Sequence, residues 1–366
     1  MLSGPALEDL VATVARVCRS GLDPDQLRAA VLSRLRRAVP VDALWWAAAD
    51  PATLLFTGSH AEGLPVDSGP YFLRNGFLRG DVNTWTDLAR TPTGVDTLVH
   101  ATDGHPEHSE RYREFFAPLG LQDELRVVLR VRGACWGYLC LHRGAARSAF
   151  SHEEAAFVHR LAPHIAEGIR LGMVRAAAAH ATPVHGPGLV LLTADGTVAG
   201  MNRAAPRWLE ELGGDPDGST LPIEVSTLVV RLQADLHGAV STRLVVRTRR
   251  AQWAVLHASR MLTADDASIA VIVEAAGPVD VAPVLMAAYG LTARERNVLE
   301  LVCQGLSTRV IGGRLHLTTD TVQDHLTSMF DRTGVHSRGE LVATIMRRGH
   351  RSEAVAAHPG RAVDAV

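Results

Sequence analysis

One short stretch of the sequence, "LTTDTVQDHLTSMFDR" at residues 317–332, places polar side chains at helical spacing. At about 100° per residue, Gln323, Asp324 and Thr327 lie on one side of a helix. An amide donates and accepts hydrogen bonds, a carboxylate accepts them, and a hydroxyl does either. We therefore predict that these three side chains form a recognition surface.

The opposite side of the same helix is apolar and must pack against the rest of the domain. It consists of Val322, Leu326, Met329, Phe330 and Thr333. The outward side carries every aspartate of the helix, namely Asp320, Asp324 and Asp331. Because an exposed carboxylate is repelled by phosphate, this helix alone would attract a polyanion poorly. Asp320 has a second role, since an acid in the first turn stabilises the helix dipole.

Capping residues divide the surrounding sequence into four short helices. They are, in chain order, Thr292 with Glu295, Ser307, either Thr318 or Thr319, and Ser337 with Glu340. Gly305 ends the first helix and Gly334 ends the third. Four such helices, with a tight turn between the second and third, form a helix-turn-helix arrangement whose third helix enters the major groove of DNA.

The stretch "LTARERNVLELVCQGLSTRVIGGRLHLTTDTVQDHL", followed by "GVHSRGEL", resembles the DNA-binding domain of LuxR-type transcriptional regulators over about residues 290–346. The matching positions are Leu291-Thr292, Arg294-Glu295, Gly305-Leu306, Ile311, Leu315, Thr321-Val322, His325-Leu326, Gly334-Val335 and Ser337-Arg338. The resemblance implies binding to double-stranded DNA, as a homodimer formed through the fourth helix. It also implies base reading by Gln323, Asp324 and Thr327.

A glutamine side chain can hydrogen-bond with adenine, and an aspartate side chain can accept a hydrogen bond from cytosine. Each good contact contributes about 1–3 kcal/mol of discrimination between bases. Phosphate must be held by other residues, for which we predict Arg309, Arg314, Thr318, Thr319, Thr321, His325, Arg332 and Arg338. Residues 291–350 hold eight arginines and six acidic residues, a net charge of +2, which predicts modest affinity per subunit. The LuxR-type family often has lysine in place of Gln323.

Two alternatives stay open for this domain. In the first, DNA binding has been lost and the acidic third helix binds a protein, which makes the chain a signalling adaptor. The acidic side favours that alternative, and the retained arginines and threonines oppose it. The second concerns Leu341, Val342 and Ile345, which either contribute to a dimer contact or, for the most part, pack inside the domain.

A length of 366 residues predicts two or three domains, so we expect one or two more domains before the helix-turn-helix. "ACWGYLCLHRG", followed by "FSHEEAAFVHRLAPHIAEGI", resembles the last strands and closing helix of a GAF domain, and Ser151 with Glu154 forms a capping box. "GLVLLTADGTVAGMNRAAPRWLEEL" begins a module that resembles a degenerate PAS domain. These resemblances imply sensing of an unknown small-molecule effector or protein partner.

The predicted fold class is multidomain α+β, with two mixed α/β sensory domains before an all-α, four-helix helix-turn-helix domain. The boundaries are a GAF-like domain at 8–178, a linker at 179–188, a PAS-like domain at 189–278, a helix-turn-helix domain at 287–350 and a disordered tail at 351–366. Helices flanking a mainly antiparallel sheet are expected in the first domain.

Composition narrows the remaining classes of function. The 37 basic and 39 acidic residues nearly cancel, so any attraction to nucleic acid must be local. No apolar run reaches the roughly 20 residues of a membrane span, and the first residues lack a secretory pattern, so we expect a cytoplasmic protein. No phosphate-binding glycine loop, GxSxG or HExxH motif occurs. We predict no enzymatic activity and no cofactor.

Cysteine and histidine patterns favour packing over metal binding. The four cysteines include no CxxC pair, so we expect neither disulfides nor a zinc site. His100, His105 and His108 lie in a loop without ligand spacing. Two further expectations concern strands: Cys135 and Cys140, at odd separation, should face opposite sides, and the adjacent Trp45 and Trp46 cannot both face one core.

Overall fold

The computed structural model describes residues 4–65, 68–77, 80–178, 186–234, 242–261 and 268–346. The predicted tail at 351–366 and most of the predicted linker at 179–188 lie outside these ranges.

The first domain is a five-stranded antiparallel sheet between two layers of helices, as expected from the sequence. Its strands are β1 (Ala43–Ala49), β2 (Phe56–Glu62), β3 (Val95–Thr97), β4 (Leu121–Val131) and β5 (Ala134–Gly144), in the order β2-β1-β5-β4-β3. Its helices are α1 (Gly4–Arg19), α2 (Pro24–Ala38), α3 (Ser68–Phe77), α4 (Trp85–Arg90), α5 (Leu98–Ala101) and α6 (His152–Ala178). Three single turns, Pro106–His108, Tyr112–Phe116 and Ala117–Leu119, lead into β4.

Both faces of this sheet are covered, which explains how two adjacent tryptophans of β1 are buried. Trp46 packs with α1, α2 and α6 on one face, and Trp45 packs with α3 and α4 on the other. The expectation that the two face opposite sides is confirmed. At the start of α6, Ser151 and Glu154 form the predicted capping box, with hydrogen bonds of 2.9 and 3.2 Å.

The expectation that Cys135 and Cys140 face opposite sides is wrong. A β-bulge interrupts β5, because Arg130 pairs with Cys135 whereas Leu129 pairs with Gly137, which leaves Trp136 unmatched. The extra residue shifts the alternation by one position, so both thiols lie on the face of Trp45. Both thiols are buried, as the packing interpretation predicts.

The central domain is a second five-stranded antiparallel sheet with helices on one face. Its elements are β6 (Gly188–Leu192), β7 (Val198–Met201), α7 (Ala205–Leu212), α8 (Ile223–Ala234), β8 (Thr242–Arg247), β9 (Trp253–Met261) and β10 (Ser268–Ala275). The strand order β7-β6-β10-β9-β8 repeats the order of the first sheet. The predicted strand, Asp-Gly turn, strand and helix are all present, with Gly196 at φ +91° in the turn.

The last part of the described chain is helical. It contains α9 (Pro278–Ala288), α10 (Ala293–Cys303), α11 (Thr308–Leu315), α12 (Thr319–Thr333) and α13 (Arg338–Ile345). Helices α10 to α13 are the four predicted helices. Helix α9 lies between the predicted domains and was not foreseen, and seven of its eleven residues are buried.

Candidate nucleic-acid interface

The turn between α11 and α12 is built from two caps and one left-handed residue. The Ser307 hydroxyl accepts from the Val310 amide and begins α11, and His316, at φ +53°, ends it. Thr318 then begins α12, because its hydroxyl accepts from the Thr321 amide at 3.1 Å. Of the two predicted alternatives, Thr318 is therefore the cap and Thr319 is the first helical residue.

Gly312 allows this turn to be tight, and the sequence interpretation gave it no role. The Leu317 amide donates to the Gly312 carbonyl at 2.9 Å, which folds the chain back on α11. A Cβ atom at Gly312 would lie 2.7 Å from the Leu317 carbonyl oxygen. At the neighbouring Gly313 the same atom would meet nothing within 4 Å. The side chain missing at Gly312 thus sets how closely α12 approaches α11.

The two sides of α12 are as predicted. Val322, Leu326 and Met329 are buried, and Phe330 and Thr333 are half-buried. Val322, Leu326, Met329 and Phe330 join a core with α9, α10, α11 and α13. The predicted base-reading residues and all three aspartates of α12 are exposed. The two preceding domains therefore leave Gln323, Asp324 and Thr327, the predicted recognition surface, open.

The predicted phosphate-binding arginines fall into two groups. Arg309 and Arg314 of α11 are exposed, and their side chains make no hydrogen bond or ion pair to the described residues. Arg332 donates to the Gly290 carbonyl and Arg338 to the Leu306 carbonyl, so each braces a loop of its own domain. The first pair is therefore better placed to contact phosphate than the second.

The other predicted phosphate contacts are polar groups around the start of α12. Thr318 and Thr319 are exposed, Thr321 and His325 are half-buried, and the Thr318 and Thr321 hydroxyls lie 2.8 Å apart. The start of α12 is the positive end of its helix dipole. These groups can donate hydrogen bonds to an anion without adding a formal charge.

Glu295 connects the start of α10 to the middle of α12. Its carboxylate accepts from the Thr292 amide and from the Ser328 hydroxyl, both at 2.7 Å, and lies 3.6 Å from Arg332. Burial alone would raise the pKa of Glu295, but these hydrogen bonds and the charge of Arg332 bring it below its ordinary value. The predicted capping box thus also orients α12, through a contact that the helical pattern did not reveal.

The apolar residues of α13 pack mainly inside the domain, which is the second of the two interpretations given above. Leu341 and Ile345 are buried and Val342 is half-buried, in contact with the same core as α12. Ser337 begins the helix as predicted, but the Glu340 carboxylate accepts from the His336 amide in place of the Ser337 amide.

Helix α9 joins the four-helix domain to the first domain and to the central domain. It packs against α6, and the Arg170 guanidinium of α6 donates to the carbonyl of Ala288 at its end. Val245 and Trp253 of the central sheet share the core of α9 to α13. A cavity of about 840 Å³ lies where the β4–β5 hairpin, α9 and α10 meet, with Arg132, Met286 and Arg296 among its lining residues.

Comparison with protein families accounts for two of these three parts. The model of "Bacterial regulatory proteins, luxR family" matches residues 290–345, which span α10 to α13. The spore germination protein GerE of Bacillus subtilis is 36% identical over 59 residues, which are 16% of this chain and 80% of that protein. The chain belongs to the luxR family of bacterial regulatory proteins.

A second relative also matches over a short length. An HTH-type transcriptional regulator of Mycobacterium tuberculosis is 46% identical over 59 residues, which are 16% of this chain and 7% of that protein. This luxR-family chain therefore spans a small fraction of the length of the mycobacterial relative.

The GAF domain model matches residues 7–169 of the luxR-family chain, in agreement with the predicted first domain. The structure of the GAF domain from a phosphoenolpyruvate-protein phosphotransferase of Coxiella burnetii has a TM-score of 0.32 and 20% identity. It covers 48% of this chain and 99% of that one. A TM-score below 0.5 does not establish a shared overall fold. In the described part of the chain, no helix is both long and apolar enough to span a membrane.

Proposed function

We propose that the chain is a DNA-binding transcriptional regulator, acting as a homodimer, whose GAF domain and degenerate PAS-like central domain control its helix-turn-helix domain. The observation that carries this proposal is the luxR-family match over α10 to α13, together with the exposed recognition surface of α12. The repeated strand order of the two sheets supports a sensory role for the central domain.

In this proposal, attraction and selection are carried by different helices. Arg309 and Arg314 are exposed on α11, and each can neutralise one phosphate. Gln323 and Asp324 on α12 select bases. The Asp324 carboxylate is repelled by the phosphates, so it favours binding only where it accepts a hydrogen bond from a cytosine amino group. A dimer over two half-sites doubles the number of arginine contacts and offsets the low charge of each subunit.

Regulation in this proposal passes through α9. An effector can change DNA affinity only by binding the competent arrangement better than the incompetent one. The cavity between the β4–β5 hairpin, α9 and α10 touches both the GAF domain and the luxR-type domain. A small molecule or protein partner that alters the packing of α9 would therefore alter the position of α10 to α13.

The test uses the full chain and selection of bound fragments from random DNA, followed by fluorescence anisotropy over a range of salt concentrations. Arg309→Ala should weaken binding to all sequences alike and reduce the salt slope by about 1. Gln323→Ala should weaken the selected sequence by about 1–3 kcal/mol and leave the others nearly unchanged. Arg90→Ala, on the exposed surface of α4, is the charge-matched control. Equal loss on every sequence after Gln323→Ala would contradict base reading.

One observation favours a second function, that of a signalling adaptor. The exposed side of α12 carries Asp320, Asp324 and Asp331 and no basic residue other than Arg332, which is held by Gly290. An adaptor would show no DNA binding even at low salt, where electrostatic attraction is strongest. The salt titration described above therefore separates the two functions.

A further inference from the structure

Three side chains of metal-binding type meet inside the GAF domain, and we refer to Glu124, Cys140 and His142 as the buried triad. Cys140 and His142 are two residues apart on β5 and share one face. Glu124 lies directly opposite His142 on β4. One ligand atom from each residue lies within 4.8 Å of the other two, and all three side chains are fully buried.

His142 has no hydrogen-bond partner for either ring nitrogen among the described residues. Its ring packs against Phe116 and Phe72, with centroid separations of 4.8 and 5.9 Å. A neutral imidazole carries one donor and one acceptor, and burying both without partners is unfavourable. A neutral imidazole has one ring nitrogen whose lone pair can bind a metal ion.

One carboxylate oxygen of Glu124 is paired with arginines, and the other is left for a ligand. Its Oε2 atom lies 2.7 Å from Arg111 Nε and 3.0 Å from Arg126 Nε, and its Oε1 atom has no hydrogen-bond partner in the described ranges. The two arginines fix the orientation of the carboxylate. The free carboxylate oxygen and the imidazole are thus buried electron-pair donors without full sets of partners, and the Cys140 thiol lies within 4.8 Å of both.

We propose that Glu124, Cys140 and His142 bind one thiophilic divalent transition-metal ion, of which Zn²⁺ is the representative. Thiolate, imidazole and carboxylate are the ligands that such ions take in proteins, and three protein ligands leave a fourth position for water or a small molecule. On binding, the Cys140 S–H bond breaks, a sulfur–metal bond forms, and the proton leaves to solvent. The site lies in the sensory domain, and its existence does not depend on the DNA-binding function.

Charge opposes binding only in part. Before binding, Arg111 and Arg126 are balanced by Glu124 and by Asp81, whose Oδ2 atom lies 3.3 Å from Arg111 Nη1. A divalent ion that replaces the thiol proton adds one net positive charge to this balanced group. The thiolate formed on Cys140 reduces the repulsion; burial strengthens the attraction of the ion to the thiolate and the Glu124 carboxylate, and equally its repulsion by Arg111 and Arg126.

A second group, His105, Glu107 and His108, also brings three ligand atoms within 4.8 Å of one another. All three side chains are exposed, and His105 Nδ1 is already hydrogen-bonded to Glu107 Oε1 at 3.1 Å. Water can satisfy the remaining atoms of this group. It therefore provides a control for nonspecific metal binding.

The first test titrates Co²⁺ into the full chain after removal of metal by a chelator under reducing conditions. We expect a sulfur-to-cobalt charge-transfer band that saturates at one ion per chain. Cys140→Ser should abolish the band, and Cys135→Ser, which removes the other buried thiol of β5, should retain it. His105→Gln should also retain it. No band in the wild type, or loss of the band in Cys135→Ser alone, would overturn the proposal.

The second test avoids the risk that a variant fails to fold. X-ray absorption at the zinc edge of the wild-type chain, loaded with one equivalent of Zn²⁺, should show one sulfur at about 2.3 Å and lighter ligands at about 2.0–2.2 Å. A coordination shell without sulfur would exclude the buried triad as the site. Neither measurement depends on DNA. A negative result in both would therefore overturn the metal site and would not contradict the proposed regulator function.

Discussion

The difference between two neighbouring glycines of α11 makes a sharp test of how the helix-turn-helix is built. Gly312→Ala and Gly313→Ala add the same methyl group to the same helix and change no charge. At Gly312 the methyl carbon would lie 2.7 Å from the Leu317 carbonyl oxygen, whereas at Gly313 it meets nothing within 4 Å. Any difference between the two variants therefore reports the turn between α11 and α12.

The magnitude follows from the distance. Carbon and oxygen meet at about 3.3 Å, so the Gly312 substitution must push the start of α12 away by about 0.6 Å. The obstacle is backbone and cannot rotate aside. Overpacking of this kind costs about 1–3 kcal/mol, and weakening the Leu317 amide bond to Gly312 costs about 1 kcal/mol more.

Both variants gain up to about 1 kcal/mol, because alanine is the better helix former. We expect Gly313→Ala to be neutral or slightly stabilising. Gly312→Ala should be less stable than Gly313→Ala by about 2–4 kcal/mol. It should also bind the selected DNA more weakly, because the recognition surface moves relative to Arg309 and Arg314.

Urea denaturation of the full chain, hydrogen exchange of the α11 and α12 amides, and DNA anisotropy measure these effects. The Gly313 variant is the control for helix propensity and for the added apolar surface. If the two variants have the same stability and the same DNA affinity, the close approach at Gly312 does not position α12.

Two further predictions concern single side chains. Thr318→Ala should destabilise α12 by about 1 kcal/mol through loss of its cap, measured by thermal unfolding, whereas Thr319→Ala should change stability by less. Burial raises the pKa of Glu224 from 4.5 to about 7, so the folded chain holds a proton that the unfolded chain loses. The unfolding free energy of the wild type should therefore fall, relative to that of Glu224→Gln, by about 3 kcal/mol between about pH 4 and pH 8. Urea denaturation of both proteins over this pH range measures the change, with Glu210→Gln, at an exposed position, as the control. If the difference in unfolding free energy between wild type and Glu224→Gln stays constant with pH, the pKa of Glu224 is not raised.

Local patterns predicted most of the elements because caps and periodicity act over a few residues. The capping box of Thr292 and Glu295, the α12 faces and the Asp-Gly turn at Gly196 all depend on neighbours within one helical turn or one hairpin. Helix α9 was not predicted, because no local pattern marks it. Apolar on almost all sides, it has no amphipathic period to mark it, and its burial depends on three domains meeting around it.

Long-range contacts account for the differences at the site. Arg332 and Arg338 are of the residue type that commonly binds phosphate. Each guanidinium instead donates a hydrogen bond to a backbone carbonyl 32 or more residues away in sequence. Glu295 likewise reaches Ser328, 33 residues away, so a capping residue also positions the recognition helix. Spacing along one helix cannot reveal partners on another.

The sequence by itself determined the luxR-type domain, the exposed polar side of α12 and the presence of a GAF domain, because these are encoded in local spacing. Only the tertiary structure decided which thiols share a face, since a single bulge at Trp136 reverses the alternation of β5. Only the pairing of β4 with β5 placed Glu124 beside His142 and Cys140. No CxxC motif announced such a group, because its ligands come from two strands and meet only when the sheet forms.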